Sequence, residues 1–340
     1  MRLPTFAAVV IAINTRILPE DNTAAKLLTD YFVNIAVGNP AYQFYFISNK
    51  EVSPASSISN VKYITVKQQS ANPLFWKLWY NYKLPAVLKK IKADVLISAD
   101  GICSLRTNVP QCVLVNDIEY LHHPGWYSRR YISFIKANMP AALQKAKSII
   151  TFSEVIKNEI VSKYSIEENK ITVASYHNNR KYQPLHWEEA EKIKEKYTGG
   201  NEYFLFDGAI HTRSNLTNLL KAFSLFKKRQ KSSMQLVLLI DNIPPKNEFV
   251  ESLRLYKYRN EVKLLSYLSA TEKEPIAAAA WCSINLSPLY SDVHFLQNSL
   301  SFGVPAIAGN TPLAKELLGD AALYVNPSSI DSIAEQLMLV

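Results

Sequence analysis

Short apolar runs alternate with amphipathic stretches along the whole chain, and each run has the length of a buried strand. In the first half, strands are predicted at Ala7–Ile13, Tyr42–Ile47, Tyr63–Val66, Ala93–Ser98 and Cys112–Val115. In the second half, they are predicted at Tyr203–Phe206, Gln235–Ile240, Val262–Leu265, Ser283–Leu286, Ala306–Ala308 and Ala322–Val325. Runs that are apolar at successive positions are typical of parallel sheets covered on both faces. The pattern therefore indicates the α/β fold class.

Helical periodicity fills many of the intervals between these strands. Helices are expected at Thr23–Val37, Trp187–Lys196, Leu216–Arg229, Glu274–Trp281, Phe295–Phe302 and Leu313–Leu318. Ser287–His294 is polar, so we expect a loop there, and Gly303 with Pro305 ends the helix that follows. The stretch Pro73–Ile91 is also helical in composition, and Pro85 either interrupts it or begins a new helix.

A ligand site is predicted where the later strands end. The loop Gly309–Pro312 follows the strand at Ala306–Ala308 and opens a short helix. In α/β proteins, loops at the carboxyl ends of parallel strands, with helix N-termini behind them, hold anionic ligands. We therefore expect a site for a phosphate-bearing ligand here. The alternative interpretation is an ordinary strand–helix repeat without a ligand.

Residues at fixed spacing connect this site with the rest of the chain. Around it stand Ser287, Gly303, Pro305, Ile307, Asn310 and the run Gly319-Asp320-Ala321-Ala322. Earlier in the same half stand Gly208, Arg213, Asn215, Leu219, Leu220, Ala222 and Phe223. The first half contains VLVNDIEYLHHPGWY at Val113–Tyr127, IITFSEVIKNEI at Ile149–Ile160 and KITVASYHNN at Lys170–Asn179. In order and spacing, these segments resemble GT-B glycosyltransferases of family 4.

The resemblance implies a fold, a domain division and an activity. The fold is GT-B-like, with two Rossmann-like domains facing a central cleft. Residues 1–182 would bind the acceptor and residues 183–340 the nucleotide-sugar donor, with a hinge near Arg180–Pro184. In such chains a last helix usually returns to the first domain, and this sequence is expected to lack it. The implied enzyme is a hexosyltransferase-like glycosyltransferase that moves a sugar to an acceptor hydroxyl, with retention, in cell-surface polysaccharide or glycan synthesis.

The resemblance also implies the site residues. The donor would contact Gly208, Arg213, Ser214, Tyr290, Asn298 and Asn310, and the acceptor would lie near Asn116 and Asp117, which are the catalytic candidates. No metal or other cofactor is implied, because protein cations and helix dipoles stabilise the leaving diphosphate in this mechanism. Arg213 suits a diphosphate through its paired N–H donors, or it is a surface residue at a helix start.

Several polar positions depart from the family pattern. Tyr290 and Asn298 replace two donor-binding glutamates, Ser214 replaces a lysine, and Asn116 replaces a histidine. Asn116 can hydrogen-bond a hydroxyl but cannot carry a proton near neutral pH. Asp117 is either a base or acceptor contact, or the cap of the turn that follows it. The alternative function is therefore a catalytically silent GT-B-shaped protein that binds a ligand or a partner glycosyltransferase.

Composition and charge bear on partners and location. The 340 residues suffice for two domains, and the net charge of +9 favours anionic partners such as nucleotide sugars. No nucleic-acid-binding motif is present, so nucleic acid is not expected. The basic, aromatic stretch Pro73–Ile91 predicts either a packed helix with a solvated basic face or a peripheral contact with an acidic membrane, which would suit a lipid-linked acceptor.

The expected location is the cytoplasm. The inner face of the membrane is the more specific location if the peripheral contact is made. Cys103, Cys112 and Cys282 have no metal or redox spacing and are expected to be buried and reduced. The apolar N-terminal segment around Phe6–Ile13 is interpreted as the first strand rather than as a signal peptide, because its apolar core is short and follows Pro4. Donor sugar, base and acceptor identity do not follow from the sequence.

Overall fold

The computed structural model describes residues 8–16, 22–49, 58–67, 72–174, 183–240, 243 and 247–340. Contacts divide the chain into two compact units, Met1–Asn178 and Asn179–Val340. The predicted division after residue 182 and most of the predicted hinge fall on residues 175–182, outside the described part, so that boundary stays a prediction.

The first unit is built on a parallel sheet. Its strands are β1 (Val10–Asn14), β2 (Gln43–Ser48), β3 (Val61–Thr65), β4 (Val95–Ser98), β5 (Gln111–Leu114), β6 (Ser148–Thr151) and β7 (Ile171–Val173). Their order across the sheet is β3-β2-β1-β4-β5-β6-β7, so the direction of winding reverses between β1 and β4. The helices are α1 (Asn22–Gly38), α2 (Pro73–Leu78), α3 (Leu84–Ile91), α4 (Arg129–Lys145) and α5 (Glu154–Tyr164).

The second unit repeats this plan. Its strands are β8 (Tyr203–Gly208), β9 (Gln235–Ile240), β10 (Val262–Ser266), β11 (Cys282–Asn285), β12 (Ala306–Gly309) and β13 (Ala322–Val325). All pair in parallel in the order β10-β9-β8-β11-β12-β13, with the reversal between β8 and β11. The helices are α6 (Trp187–Thr198), α7 (Leu216–Gln230), α8 (Glu248–Arg254), α9 (Ala270–Ala278), α10 (Tyr290–Ser301), α11 (Pro312–Leu318) and α12 (Ile330–Leu339).

Burial on both faces explains why these segments form parallel strands. All six side chains of β9 are buried, and so are those of β11 and β12. Under the sheet, Phe204 packs edge-on against Phe226, with ring centroids 5.2 Å apart. Cys103, Cys112 and Cys282 are buried and free, as the sequence predicts. Within the described residues, no helix is long and apolar enough to cross a membrane.

Two helix starts differ from the sequence prediction. The polar stretch before Phe295 is not a loop throughout, because α10 begins at Tyr290 and buries Val293 and Leu296 on its inner side. The helix expected at Glu274 begins earlier, at Ala270, because Ser269 and Glu272 form a reciprocal capping box.

The alternative left open for Pro85 is decided by the start of α3. Pro85 lies in the first turn of this helix, where its missing N–H costs nothing.

Lys227 offers a test of the second unit's packing. Its ammonium group is buried between α7 and the chain before β9, where it pairs with Glu261 and donates to the carbonyl of Met234 at 3.0 Å. Lys227→Met should lower the free energy of unfolding by about 2–3 kcal/mol, because the carboxylate and carbonyls lose their partner. Lys228→Met, at the exposed neighbouring position, is the matched control. Urea denaturation of both variants checks this, and equal stabilities would contradict it.

Candidate functional site

The loop that follows β8 is the first part of the candidate site. Gly208 ends the strand, and a Cβ there would come within 2.9 Å of the Phe206 ring. A short 3-10 turn, Thr212–Ser214, then leads into α7. The Ser214 hydroxyl is buried and donates to the Ala209 carbonyl at 2.7 Å. The Ser214 hydroxyl therefore joins the end of this loop to its beginning.

Arg213 occupies the same turn and is half-buried. Its backbone N–H donates to Nδ1 of His211 at 3.2 Å, which fixes the turn independently of the guanidinium group. Behind the turn, Asn215 adopts a left-handed conformation, with φ of 53°, and its amide donates to the carbonyl of Pro327. The loop is thus held from both sides, and Arg213 is the cationic side chain that it carries.

Hydrogen bonds tie the ends of β8 and β11 together at the reversal point of the second sheet. The Asn285 amide donates to the carbonyl of Asp207 at 3.2 Å, and its Oδ1 accepts the N–H of Ser287 at 3.0 Å. The Asp207 carboxylate lies 3.2 Å from the Lys273 ammonium group. Ligands of open α/β sheets bind outside the carboxyl ends of strands at such a point.

Tyr290, His294 and Asn298 lie one turn apart along α10. Tyr290 is 2% exposed, and its ring stacks on His294 with centroids 6.1 Å apart. Nε2 of His294 is 3.4 Å from the Asn298 amide nitrogen, and Nδ1 is 3.2 Å from Oε1 of Gln297. The Gln297 amide in turn donates to the carbonyl of Leu317 at 3.0 Å. A neutral His294 protonated at Nδ1 satisfies every contact in this chain.

The end of β12 supplies the last predicted donor residue. The backbone N–H of Asn310 donates to the carbonyl of Val325 at 2.8 Å, and its side chain is exposed. Gly309 must be glycine, because a Cβ would meet the carbonyl oxygen of Leu286 at 2.8 Å. Thr311 caps α11 by accepting the N–H of Ala314 at 3.1 Å. Asn310 is therefore presented to solvent by a loop with a rigid backbone.

The two predicted acceptor-side residues follow β5 in the first unit. Oδ1 of Asp117 accepts the N–H of Glu119 at 3.1 Å, so Asp117 does cap the turn that follows it. Oδ1 of Asn116 is buried and accepts no hydrogen bond from the described residues. Burial, reinforced by Asp117, raises the pKa of Glu119 to about 7. Nε2 of His122 lies 2.9 Å from Oε2 of Glu159, within hydrogen-bonding distance.

Sequence reasoning missed Glu119 and Asp100. Asp100 follows β4, and burial raises the pKa of its carboxyl group to about 7. Both carboxyl groups have pKa values close to neutrality, as is common for residues that transfer protons. For Asp100, the signal in the sequence was an acidic residue two positions after a buried strand, whereas Glu119 lies five positions after β5 and carried no such signal. Their burial was not readable, because it depends on helices distant in the chain.

The predicted residues therefore gather at two sheet edges. At the carboxyl edge of the second sheet, Gly208 ends β8, Arg213 and Ser214 lie in the loop after it, Tyr290 begins the helix after β11, and Asn310 follows β12. Asn298 lies two turns further along α10. Asn116 and Asp117 lie at the carboxyl edge of the first sheet. Among the described residues, no three His, Cys, Asp or Glu side chains are grouped so that they could hold a metal ion.

Comparison with known proteins identifies relatives of this chain. Residues 188–340 match the family model for glycosyl transferases group 1. O-antigen chain mannosyltransferase B of Escherichia coli is 21% identical over 224 residues, which cover 66% of this chain and 59% of that protein. O-antigen chain mannosyltransferase RfbU of Salmonella typhimurium is 23% identical over 286 residues, covering 80% of this chain and 72% of that protein. The chain thus spans less than two thirds of the first relative's length.

A solved structure shows the same fold. The crystal structure of WaaG, a glycosyltransferase involved in lipopolysaccharide biosynthesis, superposes with a TM-score of 0.75 at 14% identity, covering 97% of this chain and 89% of that chain. The likeness confirms the predicted α/β, GT-B-like fold. Together with the family match, it confirms the resemblance that the sequence motifs indicate.

The buried histidine of α10 generates a pH prediction. Burial lowers the pKa of His294 to about 4, below the unfolded value of about 6.5. Between these two values the unfolded chain binds a proton that the folded chain does not bind, so stability falls as the pH is lowered from 6.5 to 4. This one group should account for a loss of about 2–3 kcal/mol across that window.

The measurement is the free energy of unfolding as a function of pH for three proteins. His294→Gln should show a flatter profile than the native chain between pH 6.5 and 4. His186→Gln, at an exposed position in the same unit, should follow the native profile. Parallel profiles for the native chain and His294→Gln would refute the buried, neutral histidine.

Proposed function

Because residues 188–340 match the family model for glycosyl transferases group 1, we propose that this chain transfers a sugar from a nucleotide-sugar donor to an acceptor hydroxyl. The observation that carries this proposal is the loop Gly208–Asn215, held rigidly beside the reversal point of the second sheet. It offers backbone N–H groups and the Arg213 guanidinium group for a diphosphate. The reaction would retain the anomeric configuration and need no metal ion.

On α10, the donor sugar would meet the neutral, half-buried side chain of Asn298, whereas Tyr290 is covered. Tyr290 and Asn298 stand where the family pattern has glutamates, and both are joined through His294 in one hydrogen-bonded and stacked chain. Because His294 accepts the Asn298 amide, the carboxamide oxygen of Asn298 is left to accept a sugar hydroxyl. Connected packing of this kind supports a working, adapted site over a decayed one, since a decayed site has no need to retain such contacts.

The names of the relatives suggest which substrates to try first. Both curated relatives are O-antigen chain mannosyltransferases, and this supports a mannosyl nucleotide as donor and a growing cell-surface polysaccharide as acceptor. Asn116 and Asp117, which follow β5, would bind the acceptor. The reaction would take place in the cytoplasm, where nucleotide sugars are the donors.

Arg213 gives the sharpest test of donor binding. Arg213→Ala should weaken binding of UDP or GDP by about 1–3 kcal/mol, the range for a lost charge-assisted hydrogen bond. Arg254→Ala is the matched control, because Arg254 is an exposed arginine of the same unit. Calorimetric titration of the native chain and both variants measures this. If the native chain binds neither nucleotide, the silent scaffold is the better interpretation.

A transfer assay then separates enzyme from scaffold. With GDP- and UDP-sugars and lipid-linked glycan extracts as acceptors, the native chain should transfer sugar. Asn298→Ala should reduce the rate about tenfold, because one hydroxyl contact is lost in the transition state. Ser301→Ala, on the exposed side of the same helix, is the control. Nucleotide binding without transfer to any acceptor would favour a binding protein.

The exposed side of α2 supports a peripheral membrane contact. Trp76 is buried, as is Trp79 in the π-helical turn after α2, so one face of the segment packs on the unit. The opposite face exposes apolar side chains, with Leu74 62% and Phe75 45% exposed. Lys77 is exposed between them. An apolar strip with basic residues suits the surface of an acidic bilayer, so we place the chain at the inner face of the membrane.

Vesicle co-sedimentation tests this contact. The native chain should sediment with phosphatidylglycerol vesicles and remain in solution with phosphatidylcholine vesicles, because the lysines require anionic headgroups. Leu74→Asn with Phe75→Asn should reduce the bound fraction several-fold, since apolar insertion is lost. Leu255→Asn removes a leucine of the second unit that is 88% exposed, more than Leu74, and it should have no effect. Equal sedimentation of all three would refute this surface.

A further inference from the structure

A buried arginine lies at the carboxyl edge of the first sheet. Arg16 is 3% exposed and stands two residues after β1. Its Nε and Nη1 atoms are buried, and no described residue accepts a hydrogen bond from them. The guanidinium group lies over the ring of Trp79, 5.1 Å from its centroid. A buried cation with unmade hydrogen bonds is costly, so it points to a partner that the folded chain itself does not supply.

Its position is the reversal point of that sheet. Winding changes direction between β1 and β4, and Asn14 at the end of β1 pairs with Ser98 at the end of β4. Arg16 follows the first of these strands and Asp100 follows the second. Crevices at such a point are where open parallel sheets bind ligands. The Ser98 hydroxyl there is also buried without a hydrogen-bond partner among the described residues.

The π-helical turn Trp79–Lys83 completes the surroundings of Arg16. Successive residues of an α-helix point about 100° apart, yet Trp79 and Tyr80 are both fully buried. The wider π turn accommodates both, and such turns are frequent at functional sites. Trp79 thereby lies under Arg16, while the Tyr80 hydroxyl donates to the Asp100 carboxylate.

Asp100 does not satisfy the arginine. It accepts hydrogen bonds from the Tyr80 hydroxyl and, at 3.4 Å, from the N–H of Ile102, rather than from Arg16. The two charges are close enough for Arg16 to lower the pKa of Asp100, although burial dominates and raises it. The carboxylate is therefore a neighbouring charge whose hydrogen bonds are directed elsewhere. The three N–H donors on Nε and Nη1 of Arg16 therefore remain for another acceptor.

We propose that Arg16 binds a phosphate or carboxylate group of a substrate at the reversal point of the first sheet. This inference rests on the proposed glycosyl transfer for the identity of the substrate, which is either an anionic acceptor or the diphosphate of the donor. Arginine suits both groups, because its planar N–H donors match two oxygens at once.

The test uses the full chain and inorganic pyrophosphate as the phosphate probe, with glucuronic acid as the carboxylate probe. Each is titrated calorimetrically into the free protein and into protein that is already saturated with UDP or GDP, so that binding is measured with the donor loop empty and occupied. Arg16→Gln should weaken binding of at least one probe about tenfold, the effect of losing a charge-assisted contact. Arg106→Gln is the matched control, because Arg106 is exposed and also stacks on a ring, that of Tyr82 at 4.6 Å.

A second variant keeps the proposal testable if Arg16→Gln fails to fold. Asp100→Asn removes the negative charge beside Arg16 and keeps the partner of Tyr80, so it should tighten probe binding several-fold. If Arg16 served only as the internal counter-ion of Asp100, neither variant would change probe binding. Native affinity in both variants, or no probe binding by the native chain at any occupancy of the donor loop, would overturn the proposal.

Nucleotide affinities identify the source of the anion. If Arg16→Gln binds UDP and GDP as the native chain does, the group on Arg16 belongs to the acceptor. If Arg16→Gln weakens nucleotide binding as Arg213→Ala does, the group is the donor diphosphate. If the native chain binds no nucleotide, the titrations are made without nucleotide. Probe binding that is lost in Arg16→Gln would then support the Arg16 site, although the proposed glycosyl transfer would have failed.

Discussion

Burial of both faces of two parallel sheets is the constraint on which the rest of this structure depends. A strand such as β12, whose side chains are all buried and apolar, leaves no place for unpaired polar side chains along its length. Polar chemistry is therefore displaced to the strand ends, and parallel pairing collects those ends at one edge. Asn285 shows the consequence. Its amide nitrogen donates to the end of β8 and its amide oxygen accepts from the chain after β11, so both polar atoms of the side chain link strand ends.

Much of the fold could be predicted from the sequence, because apolar runs report burial directly. β13 was predicted with its observed ends, and most other strands within a few residues. The start of α10 was not predictable from composition, since its first turn is polar and is fixed instead by burial of Val293 and Leu296. Arg16 was visible as a cation after a strand, but its burial depends on Trp79, 63 positions away in the chain. Contacts of that range leave no local pattern.

The candidate donor site differs from its family pattern in charge rather than in shape. Where the pattern has a lysine, Ser214 closes its own loop, and where it has glutamates, Tyr290 and Asn298 flank His294. Compared with the family pattern, these replacements remove one positive and two negative charges. They add no negative charge, so Arg213 gains no new buried carboxylate as a neighbour. His294 fits this neutral setting, because burial lowers its pKa to about 4 and keeps it uncharged at neutral pH.

The same reasoning distinguishes the two sheet edges. In the second unit, the polar groups at the strand ends are largely satisfied by one another, through Asn285, Asn215 and the chain from His294 to Gln297. In the first unit, Arg16, Ser98 and Asn116 keep buried atoms without partners among the described residues. A buried donor or acceptor left unpaired costs roughly 1–3 kcal/mol, so each of these atoms gains from a partner that the described residues do not supply. At the first sheet edge such atoms include the cationic group of Arg16, for which the proposed partner is an anionic group of a substrate.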